Sequence, residues 1–538
     1  MRVNSYLRSL FTPIAYRKIT FDYTESKIML IKKRREPFLD PQHVLRGLLV
    51  NNTTNAVICQ AIRELEIHSS ESRNLLGDSS KWDNLAQLIC RLTRLEELVF
   101  DCLEPVPTTL LAVLRQHHPA CRLHVRNWTR RSRDVKVGDP QEEDLARSPC
   151  LRSIQGVFGI SSRRPMDLNE AAFLRIIALA PNIESASFRA RTAGDTFNNA
   201  KMTEADREEE KQEVARFEVK SAKRKVLKRL EWYYVRPNSI KRLEGTIDLS
   251  KLEELDGVLF YCPGFRHAIE NSTFSGIVHL AFTIPPMEVE SHDERKSAVM
   301  GFICSLRPLQ SLSIINYFEY IDMPTILQLH GSSLQSISLH EVESPDGTRS
   351  VLTSDQLNGI RTGAPNLESL TIDVNRTIRE KDEKRVYAAL SSFTSLTQIT
   401  LYYDLGLQAL RYPPGAGPPE TSPAHAEPKS TFALQVWGAL TGEGYSRLQR
   451  LILNFGEQNK RDLGIFPPDW VVYESNFARR RFEVGRNGRD DEGGISVVRH
   501  RDVMTDYEED RKLEAEERLR SVNERVLRYF PPGSTFEQ

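Results

Sequence analysis

The chain has 538 residues, of which 73 are basic and 73 are acidic, so its formal net charge at pH 7 is zero. A dedicated nucleic-acid-binding protein would carry an excess of Lys and Arg, and this balance gives no indication of one. The seven cysteines include no Cys-x-x-Cys pair, which is typical of reduced thiols and predicts a cytoplasmic or nuclear location. No apolar run is long enough to span a membrane or to act as a secretory signal.

From residue 61 onward one short pattern recurs, with three apolar positions spaced as Leu-x-x-Leu-x-Leu. Residues 1–60 precede it and are interpreted as an N-terminal cap. The pattern is typical of the strand in a leucine-rich repeat. Its copies begin, in chain order, at Ile62, Leu95, Leu227, Ile277, Leu309, Leu334, Leu367, Leu396 and Leu448, and looser copies begin at Leu151, Ile183 and Leu252.

The stretches between copies predict helices. Phe173, Ile176, Ile177 and Ala180 recur at helical spacing, which is typical of an amphipathic helix with one apolar face. Strand and helix together need the roughly 25 residues that separate many copies. We therefore predict an α/β fold: a leucine-rich-repeat solenoid, or horseshoe, over residues 61–455, with a parallel concave sheet and outer helices. An asparagine that closes a strand is plain only at Asn375, which predicts an irregular solenoid.

Three regions interrupt the repeats. Residues 192–221 form a highly charged insertion, and residues 411–430 are rich in Pro, Gly, Ala and Ser. The second of these cannot bury enough apolar surface to order itself and is expected to be a disordered loop. Residues 456–538 are interpreted as a polar tail that ends in a capping helix over residues 505–530.

Candidate catalytic and metal sites are weak. The segment with His117, His118, Cys121 and His124 contains zinc-ligand residue types, yet Cys121 and His124 are predicted to lie on opposite faces of a strand. No phosphate loop, nucleophile elbow or dinucleotide fingerprint is present. We expect no enzymatic activity, metal or cofactor.

The alternating positions of the strands predict a binding surface on the concave face. Small hydroxyls would lie at its centre, flanked by Tyr and Arg, the residue types that most often anchor interfaces. The alternative is that an exposed sheet merely tolerates these side chains. The candidate residues are Arg229, Glu231, Tyr233, Ser311, Ser313, Ser336, Ser338, Ser369, Thr371, Gln398, Thr400, Tyr402 and Arg450.

Residues 7–21, 92–102 and 118–124 resemble sequences of F-box/leucine-rich-repeat proteins of filamentous fungi, and residues 7–21 resemble the segment at the end of the F-box and just after it. The N-terminal cap would therefore contain a remnant of an F-box-like end. The resemblance implies a substrate receptor of a cullin-RING ubiquitin ligase, which holds a protein target on its repeats and docks on a ligase adaptor subunit. The Leu-Pro-x-Glu start of an F-box is absent from this sequence, so adaptor binding is expected to be weak or lacking. The alternative is a stand-alone repeat scaffold with no ubiquitin-ligase link.

Overall fold

The computed structural model describes residues 16–22, 41–69, 82–102, 104–129, 139–159, 167–191, 224–232, 237–259, 262–271, 273–284, 291–342, 349–375, 380–404, 430–442, 447–455, 480–486 and 495–501. The predicted insertion at 192–221, the predicted helix at 505–530 and the candidate residue Tyr233 lie outside these ranges. So does the loop at 411–430, except for its last residue.

Strands and helices alternate along the chain. The strands are β1 (Lys18–Asp22), β2 (Glu64–Ser69), β3 (Glu97–Cys102), β4 (Arg122–Trp128), β5 (Leu151–Gly159), β6 (Ser185–Arg191), β7 (Arg229–Trp232), β8 (Glu254–Leu259), β9 (His279–Thr283), β10 (Ser311–Ile315), β11 (Ser336–His340), β12 (Ser369–Val374), β13 (Gln398–Tyr403), β14 (Arg450–Phe455), β15 (Arg480–Arg486) and β16 (Ile495–Arg501). The helices are α1 (Pro41–Leu49), α2 (Thr53–Ala61), α3 (Asp83–Arg91), α4 (Thr108–His117), α5 (Pro140–Ala146), α6 (Asp167–Leu179), α7 (Pro237–Thr246), α8 (Cys262–Glu270), α9 (His292–Ser305), α10 (Met323–His330), α11 (Ser354–Gly363), α12 (Glu380–Ser391) and α13 (Ser430–Thr441).

All 16 strands of the described residues join one open sheet, and the strand order in the sheet is the order in the sequence. Strands β1 to β14 pair with one another in parallel. A parallel neighbour requires a crossover connection, and in most repeats that connection contains a helix. The predicted α/β solenoid is therefore confirmed.

The apolar positions of the repeated pattern form the core. Leu312 pairs in register with Leu280 on one side and with Ile337 on the other, and the three side chains are buried. Apolar residues of the helices, such as Phe173 and Phe302, pack against the same ladder and are equally buried. Each such side chain contributes about 1.5–3 kcal/mol by leaving water. One continuous core results, although no single repeat could form it.

Asparagine closes more strands than the sequence pattern indicated. Asn316, just after β10, has a positive φ of 60°. Its side-chain amide donates to the carbonyl of Ile284 at 3.0 Å, and its side-chain oxygen accepts from the Val342 N–H at 3.2 Å. Asn316 stands one residue earlier in its repeat than Asn375 does in its own, which hid it from the pattern.

The last two strands were not anticipated from the sequence. β15 pairs antiparallel with β14, and β16 pairs antiparallel with β15. Phe482 and Val484 of β15 are buried, and the ring of Phe482 lies edge-on to that of Phe455 at 5.9 Å. The two strands thus continue the core past the last parallel repeat. In the described part of the chain, no helix combines the length and the apolarity needed to cross a membrane.

Candidate functional site: the concave face of the sheet

The burial of side chains alternates along β10, as the repeated pattern predicted. In β10, Leu312 and Ile314 are buried in the core, whereas Ser311 and Ser313 are only half-buried. We call the sheet face that carries Ser311 and Ser313 the concave face. The register aligns its residues in rows across the strands, and the first row runs through Arg229, Glu254, His279, Ser311, Ser336, Ser369, Gln398 and Arg450.

The candidates are not equally accessible. Glu231 is 6% exposed, and its carboxylate accepts a hydrogen bond from the Ser187 hydroxyl at 2.6 Å. Thr400 is buried to a similar degree. These two side chains are therefore largely inaccessible to a partner. Arg229 and Arg450 are exposed, and Tyr402 is half-buried.

Strands β1 to β4 carry charged side chains on the concave face, and these pair with one another. The Glu66 carboxylate lies 2.8 Å from Lys18 and 3.2 Å from Arg126, and the Lys18 hydrogen bond holds the pKa of Glu66 below its usual value. The imidazole of His68 lies 3.0 Å from the Asp101 carboxylate. A partner that docks on this part of the face has to displace or match existing ion pairs.

A second charged group lies at β7 and β8. The Arg229 guanidinium lies 3.4 Å from Glu254 and 3.7 Å from Asp256. Burial raises the pKa of Asp256, and the nearby carboxylate of Glu231 raises it further. Arg229, which was predicted to flank the binding surface, therefore forms ion pairs with two carboxylates of the chain itself.

The centre of the concave face is different in chemistry. Across β10, β11 and β12 the first two rows contain only small hydroxyl side chains, all half-buried. With neighbouring strands about 4.8 Å apart, a ligand's main chain can approach this surface closely because nothing longer projects from these positions. We call these residues the hydroxyl strip: Ser311, Ser313, Ser336, Ser338, Ser369 and Thr371.

Beside the strip, at the carboxyl ends of the strands, lies a buried polar group that the sequence analysis missed. The Asp373 carboxylate accepts from His340 Nδ1 at 2.7 Å and lies 3.2 Å from the Arg349 guanidinium. Arg349 Nη2 donates to the carbonyl of Tyr402 at 2.8 Å. The ring centroids of Tyr402 and His340 lie 4.3 Å apart. Tyr402 is therefore held on the concave face through both its main chain and its ring.

Cys121 and His124 lie on opposite faces of the sheet, as their positions in the sequence predicted. Cys121 is fully buried, and burial raises the pKa of its thiol to about 12. His124 is on the concave face, within 2.7 Å of the Ser153 hydroxyl. Within the described ranges, no cluster of His, Cys, Asp and Glu is arranged to hold a metal ion.

No protein-family model matches this chain, and no curated protein matches it in sequence. The functional assignment therefore depends on the geometry of the concave face and on the short resemblances in the sequence.

Proposed function

We propose that this chain is a protein-binding module, without catalytic activity of its own, whose concave face holds a segment of a partner protein. The observation that carries the proposal is the hydroxyl strip, an uncharged surface of short side chains between the paired charges of β7 and β8 and the Arg450–Glu483 pair of β14 and β15. Burying a serine hydroxyl against a partner costs less than burying a charge that must leave its ion pair. Tyr402 at the edge of the strip supplies the aromatic type that anchors interfaces.

We propose further that the bound partner is a protein to be ubiquitinated and that the chain is an F-box-like substrate receptor of a cullin-RING ligase. Support comes from the resemblance of residues 7–21, 92–102 and 118–124 to F-box/leucine-rich-repeat proteins of filamentous fungi. The second candidate is a stand-alone repeat scaffold with no ubiquitin-ligase link.

Substitutions in the concave face test the binding role. Ser338→Tyr fills the middle of the strip, and Tyr402→Ala removes its aromatic edge. A central anchor typically contributes 2 kcal/mol or more, so each change should weaken partner capture by about 30-fold or more. Arg361→Glu, on the exposed side of α11, is the matched control and should leave capture unchanged.

Thermal unfolding of the three variants separates binding from folding. Equal capture by wild type, Ser338→Tyr and Tyr402→Ala, with all proteins folded, would remove the strip as the binding site. The ligase link is tested separately by mixing the chain with purified adaptor. Tight binding would support the ligase link, whereas the weak or absent binding expected for this sequence would favour the stand-alone scaffold.

A further inference from the structure

The polar group beside the hydroxyl strip joins titratable side chains of two neighbouring repeats. Asp373 has a fully buried side chain and accepts from His340 Nδ1 and from the Glu341 N–H, the latter at 2.6 Å. The Glu341 carboxylate in turn accepts from the Phe318 N–H at 2.6 Å. The guanidinium of Arg349 is the cation nearest to Asp373. Two carboxylates, one guanidinium and one imidazole therefore lie together in this group.

Withdrawing a carboxylate charge from water is costly, and taking up a proton is the usual way to remove that charge. Burial raises the pKa of Glu341 to about 7, and the charge of Asp373 adds to this, while the Phe318 N–H and the His340 side chain oppose it. The Tyr317 hydroxyl also faces the group and stays neutral, because burial raises its pKa. Glu341 is thus the group poised to exchange a proton.

Two members of the group, Arg349 and His340, contact Tyr402. The Arg349 side chain bonds both Asp373 and the Tyr402 carbonyl, and His340 bonds Asp373 through Nδ1 while its ring lies against the Tyr402 ring. We name His340, Glu341, Arg349 and Asp373 the exit cluster, since they lie at or beyond the carboxyl ends of β11 and β12. Glu341 joins this arrangement through its main-chain N–H, which donates to Asp373, and the charge of Asp373 disfavours a second charge on the Glu341 carboxyl group.

We propose that the exit cluster makes the concave face proton-sensitive, so that uptake of one proton by Glu341 tightens the hold on Tyr402 and increases partner affinity. The effect on affinity rests on the proposed function, whereas the effect on Tyr402 does not. The sign follows from the carboxyl group. The pKa of Glu341 in the folded protein lies above its ordinary value of 4.5. The stabilisation that the bound proton gives the folded arrangement is therefore complete below pH 4.5 and is lost as the pH rises through about 7.

The position of Tyr402 can be followed by 19F NMR on the full chain labelled with fluorotyrosine, its signal being the one missing from Tyr402→Phe. In the wild type this signal should shift with pH, with a midpoint near 7. Glu341→Gln keeps an acceptor for the Phe318 N–H but cannot lose a proton, so the shift should disappear. Glu368→Gln, an exposed carboxylate just before β12, should titrate as the wild type does.

A Tyr402 signal that is constant with pH, or that titrates equally in Glu341→Gln, would overturn the proposal by assigning the proton elsewhere. A captured partner should bind the wild type more tightly at about pH 6 than at about pH 8, and Glu341→Gln equally at both. If Tyr402 titrates through Glu341 but no partner occupies the concave face, the proton control stands and the proposed function fails. If a partner binds there and Tyr402 does not titrate, the proposed function stands and the proton control fails.

Discussion

Removing Arg349 should be among the most damaging single changes to the C-terminal half of the sheet. Its side chain is 1% exposed and lies 3.2 Å from the fully buried Asp373 carboxylate. It also donates to the Tyr402 carbonyl at 2.8 Å. Arg349→Met retains most of the apolar stem and deletes the charge. Breaking a buried ion pair from one side costs about 3–5 kcal/mol, because the remaining charge is left without compensation.

Hydrogen exchange is the suitable assay, because a solenoid opens repeat by repeat and global unfolding does not report one free energy. In Arg349→Met the amides of β12 and β13 should exchange about 150-fold to 4000-fold faster, whereas those of β2 and β3 should not change. Adding Asp373→Asn should recover a large part of the loss, since it removes the orphaned charge. A loss below about 1 kcal/mol, or strict additivity of the two changes, would refute the ion-pair account.

Two further pairs of variants test the core and the contact between helices. Leu370→Asp places a charge in the core of β12 and should unfold the neighbouring repeats, seen as lost far-UV circular dichroism, whereas Thr371→Asp on the concave face should remain folded. Gly331→Ala should lower the melting temperature by several degrees, because the added Cβ would clash with the carbonyl oxygen of Gly363 in α11. Gly359→Ala, with open space around the new methyl group, should instead stabilise α11 by about 0.5–1 kcal/mol; a similar loss in both glycine variants would contradict the close-approach explanation.

The architecture could be predicted from the sequence because each repeat contains the same spacing of buried apolar residues. At β12 the apolar residues Leu367, Leu370 and Ile372 are buried. Thr371, between the last two, is on the concave face. The same spacing in many copies constrains strand, helix and stacking order together, so an error in one copy does not change the result. The rows of the concave face follow from the same alternation.

The exit cluster did not follow, because its members are joined by contacts between repeats and not by a pattern within one. Arg349 lies 26 residues before its partner Asn375 and outside the repeated motif. Glu341 shows nothing in sequence that distinguishes a buried carboxylate from an exposed one. β15 could have been found, since Arg481, Phe482, Glu483 and Val484 alternate polar and apolar. That signal has a strand period without the repeat spacing on which the prediction relied.

Salt dependence should decide between the centre of the concave face and its charged N-terminal part. A partner on the hydroxyl strip makes uncharged contacts, so its affinity should change by less than about threefold between low and physiological ionic strength. A partner on β1 to β4 would compete with the pairs of Glu66 with Lys18 and Arg126, and exposed ion pairs weaken as salt screens them. Titrations with the captured partner, measured for wild type and Ser338→Tyr, separate the two cases. A steep loss of affinity with salt that Ser338→Tyr leaves unchanged would relocate the site to the charged strands, where the ion pairs would be the recognition elements.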